Sequence, residues 1–444
     1  MTGDPADESA QVPQFHPVRG RERIDVLDYM RGFAILGIFF MNIPFMAGPM
    51  AAVIEDPRLM GWSPADQSAW LFVHVLLEGT QRGMLELLFG AGIVVMTAKA
   101  MEPDGPVAVA DLHMRRNLWL LGFGLIDIGL LLWAGDILHV YAVAALIAFP
   151  FRTLRPRWLI ALGLSMAVTV AVCGVANYAK RSNLQYQHTV AIAAVARGEK
   201  LNAGQTETVK EWTKLEQRVG KLSAQVQEMA DAEAKGRSGD FGDYAAFMLG
   251  VYGTLWSFGA PVSWMIEAFF GMLLGMAAWK LGFIQGKLPL GTYLKIMLAA
   301  YVFGLGARTI GLMDRIAFSA APSSQWITQE LARLAVTVGH VALFNLLALT
   351  AVGRGALKPF RAAGKMAFTL YFLQQIIGIF VFYSPIGLHL PGAQGWVRLY
   401  LEASLVFVLL LIFANVWLRF FANGPMEWAW RSLSYGKRQP FRLR

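Results

Sequence analysis

The chain has one cysteine, Cys173, among 444 residues, which excludes an internal disulfide framework and a thiolate metal cluster. Charge is also scarce: Asp, Glu, Lys and Arg make up 16% of the residues, against roughly 25% in soluble domains. The opening MTGDPADESAQVPQFHPVRGRER, residues 1–23, lacks the apolar core of a secretory signal and reads as a short disordered cytosolic tail. No Walker A loop, GxSxG elbow, HExxH or CxxC occurs, which speaks against an ATPase, a serine hydrolase and a zinc enzyme with a local motif. No stretch is polar and long enough for a separate soluble enzyme domain.

Apolar residues are abundant, at 56%, and recur in runs of the length needed to cross a bilayer. The expected fold is all-α: a polytopic transmembrane helical bundle of about ten spans, near 30–48, 70–98, 117–135, 138–151, 158–179, 259–279, 291–311, 330–352, 366–384 and 399–420. Basic residues occupy every second connection, including Lys99, Arg115 and Arg116, then Arg152, Arg155 and Arg157, then Arg354, Lys358, Arg361 and Lys365. That alternation predicts both termini in the cytoplasm. It also assigns the net charge of +9 to topology, with no nucleic-acid partner.

The expected units are the tail 1–23, a first bundle 24–179, an extracytoplasmic helical loop 180–240, a second bundle 241–421 and a cytosolic amphipathic tail 422–444. Within the loop, Leu215, Val219, Leu222 and Val226 fall on one helical stripe, which predicts a helical hairpin standing outside the bilayer. Its ordinary role is a solvated cap or partner surface. DYAAFMLGVYGTLWSFGAP, which follows, suits an interfacial or re-entrant segment.

Charge inside a bilayer costs about 2.5–3.5 kcal/mol even on a lenient scale, so each intramembrane ionisable residue is a functional candidate. His74, Glu78, Arg82 and Glu86 follow one another at four-residue steps; in a continuous helix they precess by about 40° each and trace a stripe over about 18 Å. That stripe is either the wall of a channel or active site, with Arg82 and Glu86 touching substrate, or a Glu78–Arg82–Glu86 ladder that fixes packing. In the first span Asp28 and Arg31 are three residues apart, and Arg31 and Asn42 lie about 20° out of phase and about 16 Å apart along the axis. They line one groove, or else Arg31 is a positive-inside anchor paired with Asp28. LLWAGDILHVYA marks an outward turn in which Asp136 and His139 share a face, Asp136 also being placed to cap a helix; Asp127 lies deeper. Arg308, His340 and Gln374 are further intramembrane polar residues. Such residues are ordinarily interhelical glue, and an arginine near a membrane surface ordinarily snorkels. FGAG at 89–92 is better read as a close helix contact than as a phosphate loop.

RIDVLDYMRGFAILGIFFMNI, MLELLFGAGIVVM, LLWAGDILHVYA, FFGMLLGMAAWKLG, GKMAFTLYFLQQII and NGPMEWAWRSLSYG resemble, in order, the bacterial YeiB-like proteins, domain of unknown function 418. In that family a small hydroxyl residue is more usual where Glu86 stands. The first helix is also similar to that of transmembrane acyltransferases such as heparan-α-glucosaminide N-acetyltransferase and the bacterial sugar O-acyltransferases. Those enzymes carry an acyl group from cytoplasmic acyl-CoA to an acceptor on the far side. The resemblance implies acyl-CoA as donor, no covalently bound cofactor and no metal, and a small-molecule, lipid or glycan acceptor. Arg31 matches the arginine of that motif. With Asp28 and the inner Arg115 and Arg116 it would serve the donor. Asn42 stands where the O-acyltransferases have histidine and the heparan enzyme an asparagine; a later histidine of the heparan enzyme is replaced by Val53. Asparagine cannot be a base but can donate to an oxyanion. The base then falls to His74, with Glu78 holding its tautomer, or to His139 beside Asp136. A transporter driven through Glu86 and His74, and a scaffold that docks a partner on its outer hairpin, are the other readings. A homo-oligomer stays open.

Overall fold

A computed structural model describes residues 24–97, 108–392 and 394–443. The expected tail 1–23 and Lys99 lie outside them. Eighteen α-helices are described. The first half contains α1 (Asp25–Gly37), α2 (Phe39–Ala47), α3 (Met50–Ile54), α4 (Pro64–Leu76), α5 (Thr80–Thr97), α6 (Ala108–Leu130), α7 (Leu138–Ala148) and α8 (Pro156–Ala196). Between the two halves of the chain lie α9 (Ala203–Arg218) and α10 (Ala224–Ser238). The second half contains α11 (Phe241–Ser257), α12 (Ala260–Lys280), α13 (Leu290–Ile316), α14 (Gln325–Leu349), α15 (Ala351–Lys365), α16 (Ala367–Gln375) running into a π-helical turn, α17 (Trp396–Trp417) and α18 (Pro425–Tyr435). Among the described residues there is no β-sheet.

The polarity is that of a membrane protein. Val168 and Val172 on α8, Val302 and Ile310 on α13 and Leu401, Leu405 and Ile412 on α17 are all exposed, an apolar belt that lipid rather than water would cover. Among the described residues six helical stretches, α1 with α2 counted as one, are long and apolar enough to cross a membrane, or seven if the bent pair α15 with Ala367–Tyr383 is one span. That count is below the ten expected. The stretch 70–98 is interrupted, α6 mixes Arg115, Arg116, Asn117 and Asp127 into its apolar run, and α7 has 11 residues.

The interruption is the main departure from the sequence reading. α4 begins with a capping box, Ser63 accepting from Asp66 N–H and Asp66 from Ser63 N–H, and ends at Leu76. Gly79 then takes φ +70°, a conformation glycine adopts without steric cost, and α5 starts afresh at Thr80. The stripe from His74 to Glu86 is therefore split between two helices. A break at membrane depth frees backbone carbonyls that must find donors. Arg308 of α13 donates to the carbonyls of His74 (3.2 Å), Val75 (3.1 Å) and Glu78. His340 of α14 donates through Nε2 to the carbonyl of Leu76 at 3.0 Å, and Thr80 Oγ1 lies 3.0 Å and 3.1 Å from those of Leu76 and Leu77.

Outside the core, α8 has 41 residues, about 62 Å at 1.5 Å per residue, and runs unbroken through the boundary expected at 180. Its far end packs against α9. The single stripe expected through 215–226 is interrupted between Arg218 and Ala224. α10 nevertheless docks: Glu233 accepts from Met50 N–H (2.7 Å) and Arg237 Nε (2.8 Å), and Arg237 donates to the carbonyl of Met46 (3.0 Å).

The bundle closes on small residues. A Cβ at Gly90 of α5 would lie 2.0 Å from the Met272 carbonyl oxygen, and one at Gly275 of α12 would lie 2.2 Å from that of Leu87. The backbones touch there, as expected of FGAG. Gly275→Val is therefore expected to cost about 1–3 kcal/mol through overpacking and to lower the thermal unfolding midpoint of the detergent-purified protein, followed by tryptophan fluorescence. Gly92→Ala, with nothing within 4 Å of its Cβ, should leave the midpoint unchanged.

Candidate functional site: an ionic chamber beside a broken helix

A chamber of about 1140 Å³ lies between the bundle and α10. Its walls include Asn42 from α2, His74 from α4, Leu77, Glu78 and Gly79 from the break, Arg82 from α5 and Glu267 from α12. Arg308, Arg315, Glu330 and Arg333 from α13 and α14 also line it, as do Val226 and Met229 from α10. The break thus lines a cavity, the setting in which irregular backbone is tolerated at membrane depth.

A five-membered ionic network occupies one wall. Arg82 holds Glu267 with both Nε and Nη2, the shortest contacts being 2.8 Å. Arg333 reaches Glu330 at 2.7 Å, Glu267 at 3.1 Å and Glu86 at 3.2 Å. Glu86 lies 3.9 Å from Arg82 Nε, so the local pairing expected within the stripe is the weakest contact of the set. Glu86 and Arg333 are buried; the Glu86 carboxylate fits because α12 has glycine opposite, where a Cβ at Gly271 would lie 2.3 Å from Glu86 Oε2. Glu267, Glu330 and Arg333 were not singled out from sequence. They lie inside expected spans, so the rule that picked out Glu86 applies to them too.

His74 stacks on Trp70, ring centroids 3.9 Å apart, and its Nδ1 lies 2.8 Å from the Trp70 carbonyl oxygen. A carbonyl can only accept, so Nδ1 carries the proton and Nε2 keeps its lone pair. The tautomer is held by the helix backbone and not by Glu78. Asp136 accepts from the backbone N–H (2.9 Å) and Nδ1 (2.8 Å) of His139, and from Tyr371 Oη at 3.2 Å. It caps the start of α7, as its place after Gly135 suggested. Asp127 is buried beside Asp136 and Tyr371. Neither Asp136 nor His139 lines the chamber, although Gly135 and Ile137 do.

The residues expected on the inner side form a separate group. Arg31 pairs with Asp28 at 2.8 Å and approaches the Gly364 carbonyl oxygen at 3.4 Å; it does not share the chamber with Asn42. Arg115 pairs with Asp111 at 2.8 Å, and Arg116 lies over the Trp430 ring at 4.4 Å. Arg308 and His340 support the break, and Gln374 donates to the Ile35 carbonyl at 2.8 Å, as interhelical glue would. On the outer loop Arg58 hydrogen-bonds Asp56 at 2.7 Å and holds that carboxyl below its ordinary range.

A helical bundle with an apolar exterior, a broken helix and buried guanidinium–carboxylate pairs defines a multi-pass membrane protein class. Residues 278–437 match the family described as protein of unknown function (DUF418). The chain is 28% identical to the uncharacterized protein YxaH of Bacillus subtilis over 97% of its own length and 98% of that protein's. It is 27% identical to the uncharacterized protein YeiB of Escherichia coli, over 93% and 96%. An uncharacterized 39.9 kDa protein of Bacillus acidopullulyticus is 24% identical over 96% and 98%. The chain is thus similar to the YeiB-like proteins over nearly its whole length, and to the DUF418 family over residues 278–437. No solved structure matches it.

Removing one partner of a buried ion pair leaves the others uncompensated, at about 3–5 kcal/mol. Arg333→Gln, which strands Glu86 and Glu330 together, should lower the unfolding midpoint markedly. The triple change Arg333→Met, Glu86→Leu, Glu330→Leu should recover much of the loss in the same thermal assay.

Proposed function

We propose that the protein is an acyltransferase-like enzyme of the bacterial inner membrane, crossing it about ten times with both termini in the cytoplasm. It delivers an acyl group from cytoplasmic acyl-CoA to an acceptor held in the outer chamber. The observation that carries this reading is the pairing of two groups on one chamber: an imidazole whose Nδ1 is committed to a backbone carbonyl, and the Asn42 amide. Nε2 of His74 removes the proton from an acceptor hydroxyl or amine. The freed lone pair attacks the acyl carbonyl carbon, and Asn42 donates to the oxygen as it gains charge. The carbon–sulfur bond then breaks, and the CoA thiolate leaves and takes up the proton. At the inner end Arg31, Arg115 and Arg116 supply positive charge for the CoA phosphates. Arg116 and the exposed Arg115 can exchange a ring or a surface carboxylate for phosphate oxygens.

A second reading, a carrier for a small anionic or amphipathic solute, is favoured by the broken helix, since discontinuous helices with polar ends at a cavity are a transporter device. In that reading Glu86 and His74 would pass protons.

Purified protein in proteoliposomes with labelled acetyl-CoA separates the two. Transfer should release free CoA thiol, with His74→Ala lowering the rate about 10²–10⁴-fold and Asn42→Ala about 10²–10³-fold. No binding of acetyl-CoA at millimolar concentration would defeat the enzyme. Glu86-dependent solute uptake would then support the carrier, and equal flux in Glu86→Gln would remove its proton coupling.

A further inference from the structure

The charges that line the chamber do not all find partners within the protein. Arg82 is taken by Glu267 and Arg333 by Glu330. Arg308 is committed to backbone carbonyls, and Glu55 accepts from Ser223 N–H at 2.8 Å. Arg315 and Glu78 remain. Among the described residues the Arg315 guanidinium has no carboxylate in a salt bridge with it, and it lies over the Trp70 ring at 5.3 Å. Among the described residues no donor or cation is bonded to the Glu78 carboxylate, although its backbone carbonyl is held by Arg308. Both line the same chamber. Arg308 and His74 lie near enough to Glu78 to feel its charge, but neither is bonded to its carboxylate, so a ligand that carries the opposite charges in one molecule would give Glu78 and Arg315 a bonded ionic partner each.

The rest of the wall indicates what such a ligand carries behind its head. Met166 and Val170 of α8, with Leu255 and Phe258 at the end of α11, give the chamber an apolar side. On α8 those two residues alternate with Leu162, Val168 and Val172, which face outward where lipid would lie. The volume of about 1140 Å³ exceeds the roughly 300–1,000 Å³ of pockets for drug-sized ligands. A free zwitterion would fill the polar end and leave the apolar side uncovered.

We propose that the chamber binds a zwitterionic amino-phospholipid of the outer leaflet. Its phosphate sits on Arg315, its ammonium on Glu78, and its chains lie along the α8 and α11 side. The assignment rests on the transferase reading in one respect, that the lipid would be the acyl acceptor, with its amine at Glu78 on the chamber that His74 also lines.

Binding can be measured without an acyl donor, on the full-length protein in detergent, using phosphatidylethanolamine labelled on an acyl chain. Phosphatidylglycerol, which has the phosphate and no ammonium, is the comparison lipid, and free phosphoethanolamine the competitor. The ethanolamine lipid should bind about tenfold tighter than the glycerol lipid, the scale of one charge-assisted hydrogen bond. Glu78→Gln should abolish that preference while leaving phosphatidylglycerol binding intact, which doubles as proof that the variant is folded. Arg315→Gln should weaken both lipids about tenfold. Equal affinity of the wild-type protein for the two lipids, or unchanged preference in Glu78→Gln, overturns the proposal. Displacement by phosphoethanolamine at concentrations equal to the lipid's would reject the lipid source and leave a head-sized ligand. Because no acyl-CoA is present, lipid binding without turnover counts against the transferase alone, and turnover without lipid preference against this assignment alone.

Discussion

The guanidinium of Arg333 is the constraint on which the centre of the bundle depends. One buried cation touches carboxylates from α5, α12 and α14, so these helices can approach only in the arrangement that keeps all contacts made. In a dry interior the individual bonds add little net stability, because desolvation offsets them. Their effect is on geometry: any slide of α12 along α5 would uncover Glu86 or Glu267. The glycine contacts between those two helices then bring the backbones close enough for short side chains to meet.

The gap between α4 and α5 depends on the same framework. Its open carbonyls are answered by Arg308 and His340, side chains held on α13 and α14, and α14 also carries Arg333. Charge network and helix break thus share α14, and both look onto one chamber. A reactive group on either side of the break, His74 before it or Arg82 after it, keeps its position only while α14 stays in place.

Much of this was legible in the sequence, and the limits have physical causes. Run length and apolarity indicated an all-helical membrane bundle, Gly135-Asp136 indicated a helix start, and FGAG a close crossing. The break was missed because Glu78-Gly79 sits in an apolar pattern that continues on either side. What permits it is supplied from residues more than 200 positions away. The same applies to Arg82, which four-residue spacing pairs with Glu78 or Glu86 and the structure gives to Glu267. Intramembrane charge shows which residues need partners; local spacing cannot say which helix provides them. The shared phase of Arg31 and Asn42 was sound as helical arithmetic. Yet α1 ends at Gly37 and Asn42 lies on α2, and only the outer of the two residues reaches the chamber.

The empty corner at Gly271 has a consequence for how related chains can vary. Its missing methyl is the space occupied by the carboxylate of residue 86, so the two positions form a single volume shared across a helix crossing. A relative with a short hydroxyl side chain at 86 has room to spare there and can accept alanine or serine on the facing helix. A chain that keeps glutamate cannot, and drift at one of these positions is tied to the occupant of the other.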